Sequence, residues 1–125
     1  MVHTRAMKND KVIHARFFAE VGGNEPVRDF LRSFHDEDRR IIGGDLRLLQ
    51  RGWPQGLPVC RPLGEKLYEV RSTITHGRQV RVLFIFWQGE FWLLHGFIKK
   101  TEKTPEEYLK LARKRMQSVI AQSNK

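Results

Sequence analysis

The chain has 125 residues, with 23 Lys and Arg against 14 Asp and Glu, and one cysteine. That length suits one domain around one core, and folding at this size buries about 65–70% of the unfolded surface, so neither a metal nor a disulfide is required. A net charge of +9 and a pI near 10.2 favour a polyanion partner, while the lone Cys60 excludes an internal disulfide and no apolar run reaches the ~20 residues of a membrane span. The opening MVHTRAMKND has no apolar segment of the secretory kind, so the expected setting is cytoplasmic, with no membrane partner. Residues 1–10 read as a flexible N-terminus and residues 11–122 as a single domain.

Lys11 to Phe18 reads as a first strand, with Ile13, Ala15 and Phe17 on one face. Val21-Gly22-Gly23-Asn24 breaks it. A short helix starts at Pro26, with Val27, Phe30, Leu31 and Phe34 on one face. A second runs from about Asp36 to Arg51 and buries Ile41, Ile42, Leu46 and Leu49. Gly43-Gly44 in its middle costs about 1 kcal/mol per glycine against alanine, and close approach of a neighbouring element is one reason to keep them. The two helices predict an αα-hairpin covering one sheet face.

Residues 52–66 read as a turn-rich connector. Leu67 to Ile74 is a strand, with Tyr68, Val70, Ser72 and Ile74 on one face and Glu69, Arg71 and Thr73 on the other. Val80 to Trp87 is apolar on both faces except at Arg81, as expected of a central strand with both faces covered. Gln88-Gly89 signals a hairpin turn, and the next strand ends in His95, Gly96, Phe97 and Lys99-Lys100. Thr104, Pro105 and Glu107 form a capping-box start for a last helix, whose buried stripe is Tyr108, Leu109, Ala112, Met116, Val119 and Ile120. The order β, α, α, three strands, α predicts an α+β domain with an antiparallel sheet.

The five histidines show no metal-ligand spacing, and neither a phosphate loop nor a GxSxG motif is present, so no cofactor is implied. Arg71 and Arg81 each interrupt a strand. An arginine in so apolar a run needs a partner or a cleft where an anion sits. Two registers are open. A two-residue turn would place Arg81 with Gly96 and Lys100, and a turn longer by one residue would place it with His95 and Lys99. A cluster of Arg, Lys and His suits RNA cleavage by the RNA's own 2′-hydroxyl. The protein aligns the groups, helps move a proton and stabilises charge on the phosphorus. His95 is the candidate acid or base, and Tyr68 or Trp92 would stack on a base.

The segments PVRDFLRSF, KLYEVR, RVLFIF, LLHGFIKKTEKTP and EYLKLARKR resemble the HigB-like, phage-derived toxins of the RelE/ParE toxin–antitoxin superfamily. The resemblance covers about residues 11–117 and is most specific in LLHGFIKKTEKTP. It implies a compact RelE-like α+β fold and a metal-free endoribonuclease cutting mRNA in the ribosomal (30S) A site. It also implies a helix-turn-helix antitoxin that blocks the toxin and carries the only contact with DNA. By this resemblance Arg71, Arg81, Lys99 and Lys100 fall where related toxins carry basic active-site residues, and with His95 as substitute general base the expected catalytic set is Arg71, Arg81, His95 and Lys99. The RNA-binding set is Tyr68, Lys100, Lys103, Tyr108 and Arg113. Some ribosome-dependent relatives carry lysine where this chain has Glu69. The superfamily also holds gyrase poisons of the same fold, so a gyrase inhibitor is the alternative, with a non-catalytic RNA-binding module as a third.

Overall fold

The computed structural model describes residues 12–54 and 58–123. The flexible N-terminus expected over residues 1–10, and a strand start at Lys11, lie outside them. The first strand is the short β1, Ala15–Phe17. Helix α1 (Pro26–Arg32) has Pro26 in its first turn, and α2 (Asp36–Gly52) opens on three carboxylates, Asp36, Glu37 and Asp38, which suit the positive end of the helix. Four strands follow: β2 (Cys60–Gly64), β3 (Leu67–Thr73), β4 (Gln79–Trp87) and β5 (Glu90–Ile98). The chain closes with α3 (Glu106–Ser123).

The strands form one sheet in the order β1-β5-β4-β3-β2. It is mixed, which corrects the antiparallel sheet expected: β1 lies parallel to β5, with Ala15 opposite Phe91, while the other pairings are antiparallel. A strand entering the sheet before two helices and four strands has no hairpin to set its direction. Strand β2 corrects a second expectation, because it lies in the stretch read as a connector. Pro62 hides it from a pattern reading. Proline is tolerated here because β2 is an edge, where a missing N–H leaves no ladder bond unmade.

Helices α1 and α2 cover one sheet face and α3 the other. Val27, Phe34, Ile42 and Leu49 pack with Val70, Val80, Val82, Phe84, Phe91 and Leu93. Ala112, Met116 and Val119 pack with Leu67, Leu83, Ile85, Leu94 and Phe97. Strand β4 is therefore buried on both sides, as its apolar run predicted. The two early helices lean on the sheet more than on each other: α1 docks on β5 and α2 on β3. Gly96 on β5 makes the first docking close, since a Cβ there would stand 2.5 Å from Cδ2 of Phe30. Gly43 and Gly44 have no such reason. Among the described residues, a Cβ on Gly44 meets nothing within 4 Å, and one on Gly43 meets only the guanidinium of Arg47 at 3.5 Å. The close-approach explanation for that pair fails within this fold.

The turn between β4 and β5 has two residues, Gln88 (φ 51°) and Gly89 (φ 81°), both left-handed as a primed hairpin turn requires. By itself it would set Arg81 beside Gly96. The register instead shifts at Leu94: Phe84 pairs with Leu93, but Leu83 pairs with His95. This one-residue bulge turns the rest of β5 over, so Arg81 stands opposite Phe97. Arg115 of α3 secures it by donating from Nη1 to the Leu94 carbonyl at 2.7 Å.

Candidate active site

The bulge decides which side chains meet. Beyond it Gly96 and Ile98 face α1, while Phe97 and Lys99 face the α3 side, where Arg81 also points. The Lys99 N–H donates to the Gln79 carbonyl at 2.7 Å and extends the ladder, which holds Lys99 beside the start of β4. A cleft opens at this corner between sheet and helix. Arg81 and Glu69 line it from the central strands, Arg61 from the edge strand and Lys99 from the end of β5. Glu102 and Lys103 come from the β5–α3 connection, and Glu106 from the first turn of α3. Its volume is about 320 Å³, the small end of the range for ligand sites.

Arg81 is 2% exposed, in a strand that is otherwise apolar from Val80 to Trp87. Its Nη1 donates to the Val80 carbonyl at 3.1 Å and to Oε1 of Gln79 at 3.3 Å. Its Nε lies 3.7 Å from Oε2 of Glu69, itself buried, and the Arg71 Nε lies 3.9 Å from that same oxygen. Both separations exceed hydrogen-bond length, so Glu69 balances two guanidinium groups by charge more than by directed bonding. Burial lowers the Arg81 pKa, Glu69 pushes it back up, and Arg71 and Arg61 lower it further. An arginine stays protonated through such shifts. The result is a fixed cation, poor in water, at the wall of an open cleft. A bound anion would relieve its desolvation.

The expected site residues divide. Arg81, Lys99 and Lys103 line the cleft. Arg71 shares Glu69 but borders the neighbouring hollow, beside Ile41, Asp45 and Gln79. Lys100, one residue past Lys99, points the other way. It lines a separate pocket with Tyr108, Phe30 and Phe97. Tyr68 lies on the opposite sheet face, its ring 5.0 Å from Trp53 and 5.6 Å from Phe84, so it serves the core beneath the early helices. Arg113 is drawn to the β2–β3 turn, with Nε 2.9 Å from Oε1 of Glu65. Trp92 stands beside the Arg16 guanidinium, 5.7 Å away.

His95 is absent from the cleft lining. Its ring lies 4.6 Å from that of Tyr108 and 5.8 Å from that of Phe97, and its Nε2 is buried with no hydrogen-bond partner among the described residues. Burial, helped by the nearby Arg115 charge, pushes its pKa down to about 4. It is neutral at physiological pH and a weak base. Glu69 is the buried carboxylate inside the cleft. Its alternation with Arg71 made its orientation legible, although its role was not. Arg61, Glu102 and Glu106 went unread as site residues. Arg61 lay in the stretch taken for a connector, and the two glutamates sit where only the fold brings a helix start over the sheet.

Among the described residues, no group of His, Cys, Asp and Glu could hold a metal ion, and no helix is long and apolar enough to cross a membrane. Residues 29–117 match the family described as Phage derived protein Gp49-like, and no curated protein is significantly similar. The match spans well over half of the chain, which therefore belongs to that family, a toxin–antitoxin-associated group of RelE/HigB-like proteins. Membership implies a cognate antitoxin as partner.

Proposed function

We propose that this Gp49-like protein is the toxin of a type II toxin–antitoxin pair, and that it acts as a metal-independent endoribonuclease of the HigB kind on ribosome-bound mRNA. The observation that carries the reading is the buried Arg81 guanidinium at the wall of a cleft rimmed by Lys99, Lys103 and Arg61. Arg81 and Lys99 would hold the scissile phosphate and stabilise the charge that grows on it as the 2′-oxygen bonds to phosphorus and the bond to the 5′-oxygen breaks, leaving a 2′,3′-cyclic phosphate and a 5′-hydroxyl that takes its proton from water. Arg71 supports Arg81 through their shared Glu69. Glu69 replaces His95 as the group that takes the 2′-hydroxyl proton, because it is the carboxylate beside both guanidinium groups. Lys103 and Arg61 would guide the flanking phosphates. The partner that silences the cleft is a helix-turn-helix antitoxin, and DNA is reached only through it. A protein acting on translating ribosomes would do so in the cytoplasm.

The test is induced expression with mapping of mRNA ends, alongside purified protein on translating ribosomes with and without chelator. The expected result is codon-linked cleavage, insensitive to chelation, with growth arrest. Arg81→Ala and Lys99→Ala, each checked for folding, should lower cleavage by about 10²-fold or more. Intact mRNA with stalled gyrase would refute the nuclease and favour the gyrase reading. RNA bound but uncut, in cells that grow normally, would leave only a binding module.

A further inference from the structure

Arg115 stands where a helix packed on a sheet ordinarily carries an apolar side chain. It falls three residues after Ala112 and four before Val119, on the stripe by which α3 meets the strands. Its side chain is 12% exposed. Among the described residues its carboxylate partner is Glu20, with Oε2 3.5 Å from Nη2, and Glu20 is itself half exposed. The Phe18 ring covers the guanidinium at 5.2 Å. Burial lowers the Arg115 pKa, and Glu20 offsets that in part. Packing alone would favour Met or Leu at this position, because one half-exposed partner is a weak return for a desolvated cation.

What the guanidinium holds is the backbone of β5. Leu94 is the extra residue of the bulge: it has no partner on β4, and the pairing with β1 ends at Leu93. The Phe18 N–H is spent on the Leu93 carbonyl at 3.0 Å. The Leu94 carbonyl accepts instead from Nη1 of Arg115 at 2.7 Å. Leu94 is fully buried, so its carbonyl would be costly to leave unbonded. The bulge in turn sends Lys99 to the cleft and Lys100 to the separate pocket. Arg115 is not among the residues that line the cleft, and it sits about 9 Å further along α3 than Leu109, which does line it.

We propose that Arg115 is a positioning residue for RNA cleavage: by holding the Leu94 carbonyl it fixes the bulge that brings Lys99 into the cleft with Arg81. The inference rests on the RNA reading of the cleft and adds to it a residue that touches no substrate. Arg81 is held rigidly in its strand, whereas Lys99 lies just past the end of β5, tied by its N–H to the Gln79 carbonyl. A bulge free to shift would move the ammonium relative to the guanidinium. A misplacement of about 1 Å between groups that grip one phosphate can cost about 10²-fold in rate. Glu20 and Phe18, on the strand end and loop beyond β1, flank the guanidinium and keep it aimed at the carbonyl.

The experiment is a double-mutant cycle on mRNA cleavage, joined to amide hydrogen exchange. Arg115→Met should lower kcat by about 10-fold and leave the KM for RNA within about twofold. Arg115→Lys, which keeps a charge and a donor, should recover most of that loss. In a Lys99→Ala background, Arg115→Met should cost almost nothing more, because the group through which it acts is already gone. Exchange at the Lys99 amide should quicken by about 10-fold in Arg115→Met, while amides along β3, beyond β4, keep their rates. If Arg115→Met does not fold, Glu20→Gln, which loosens the guanidinium without removing it, enters the same cycle with an expected loss of about threefold. A residue that only stabilised the fold would quicken exchange throughout, and its loss would add in full to that of Lys99→Ala. Either result would overturn the proposal, as would unchanged cleavage in the variant that enters the cycle. If the unaltered protein cuts no RNA, the nuclease reading falls by itself. Quickened exchange confined to Lys99 and its strand neighbours would then still uphold Arg115 as the holder of the bulge, and its absence would overturn that as well.

Discussion

The Glu69–Arg81 pair offers the sharpest quantitative test of the cleft. Their side chains are 4% and 3% exposed, with Nε and Oε2 3.7 Å apart. At an effective dielectric of 20, opposite charges at that separation attract by about 4–5 kcal/mol, a gross figure that desolvation of both groups largely offsets. Removing one partner strands the other, which typically costs 3–5 kcal/mol. The two single variants should differ within that range. In Arg81→Met, Glu69 keeps Arg71 at 3.9 Å, so the loss should be near 3 kcal/mol. In Glu69→Gln, the guanidinium groups of Arg81, Arg71 and Arg61 repel one another with their shared carboxylate gone, so the loss should be near 4–5 kcal/mol. At about 4 °C per kcal/mol for a domain of this size, Glu69→Gln should melt about 16–20 °C lower. The double variant should be more stable than the sum of the singles by at least about 2 kcal/mol. Chemical denaturation of all four proteins completes the cycle. Single-variant losses that add within about 0.5 kcal/mol would show that the pair is not coupled, and the picture of a balanced, water-poor cation would fail.

Gly96→Ala should cost about 1–3 kcal/mol by driving a methyl into the Phe30 ring, and Phe30→Leu should recover part of the loss in denaturation midpoint. His95, whose folded pKa of about 4 lies below its unfolded value near 6.5, contributes stability that is full above about pH 6.5 and declines as pH falls toward 4. Proton NMR should find its ring neutral at pH 5.5, and cleavage by His95→Gln should keep the wild-type pH profile. Asp38 accepts from the Thr75 N–H at 3.0 Å, the largest cause of its lowered pKa, and from Arg78 at 2.8 Å. Its contribution is therefore full above the ordinary carboxylate pKa and is lost as pH falls through the lower folded value, so Asp38→Asn should flatten the acid limb of the melting-temperature curve.

What could be read from the chain was local or periodic. The apolar stripes of α1, α2 and α3 and the double-sided burial of β4 all follow from spacing alone. What escaped depends on events a pattern does not record. The Leu94 bulge is one extra residue within an unbroken apolar run, yet it determines whether Arg81 meets Lys99 or Lys100. Strand β2 carries Pro62, a breaker everywhere except on an edge. The pairing of β1 with β5 is long-range and parallel, and no turn announces it. The capping box fell about one residue out of frame. The Pro105 carbonyl accepts the first helical bond, from Leu109 N–H at 3.2 Å, so Pro105 caps the helix instead of opening it. His95 looked catalytic because histidine usually titrates near neutrality. Only packing against Phe97 and Tyr108 reveals that this ring does not.

The fold by itself does not separate a nuclease from a gyrase poison, because an architecture does not fix an activity. The energetics of one residue bear on the choice. A well-packed hydrophobic pair in place of a buried Arg81 and Glu69 would be expected to match or exceed the stability of the ion pair by about 1–4 kcal/mol. Arg81 stands opposite Phe97 and shares the cleft lining with Leu63 and Leu109, an apolar setting that would accept such a replacement. A protein that needs only an outer surface to grip its target has no use for a charge kept dry at the wall of a 320 Å³ cleft. A phosphoryl-transfer site does, because a guanidinium already stripped of water meets the developing charge without reorganising. The same reasoning predicts that the Glu69→Leu, Arg81→Met double variant folds at least as well as the unaltered chain and is inert toward mRNA. Retained growth arrest in that stable variant would move the activity away from the cleft and onto the exterior of the molecule.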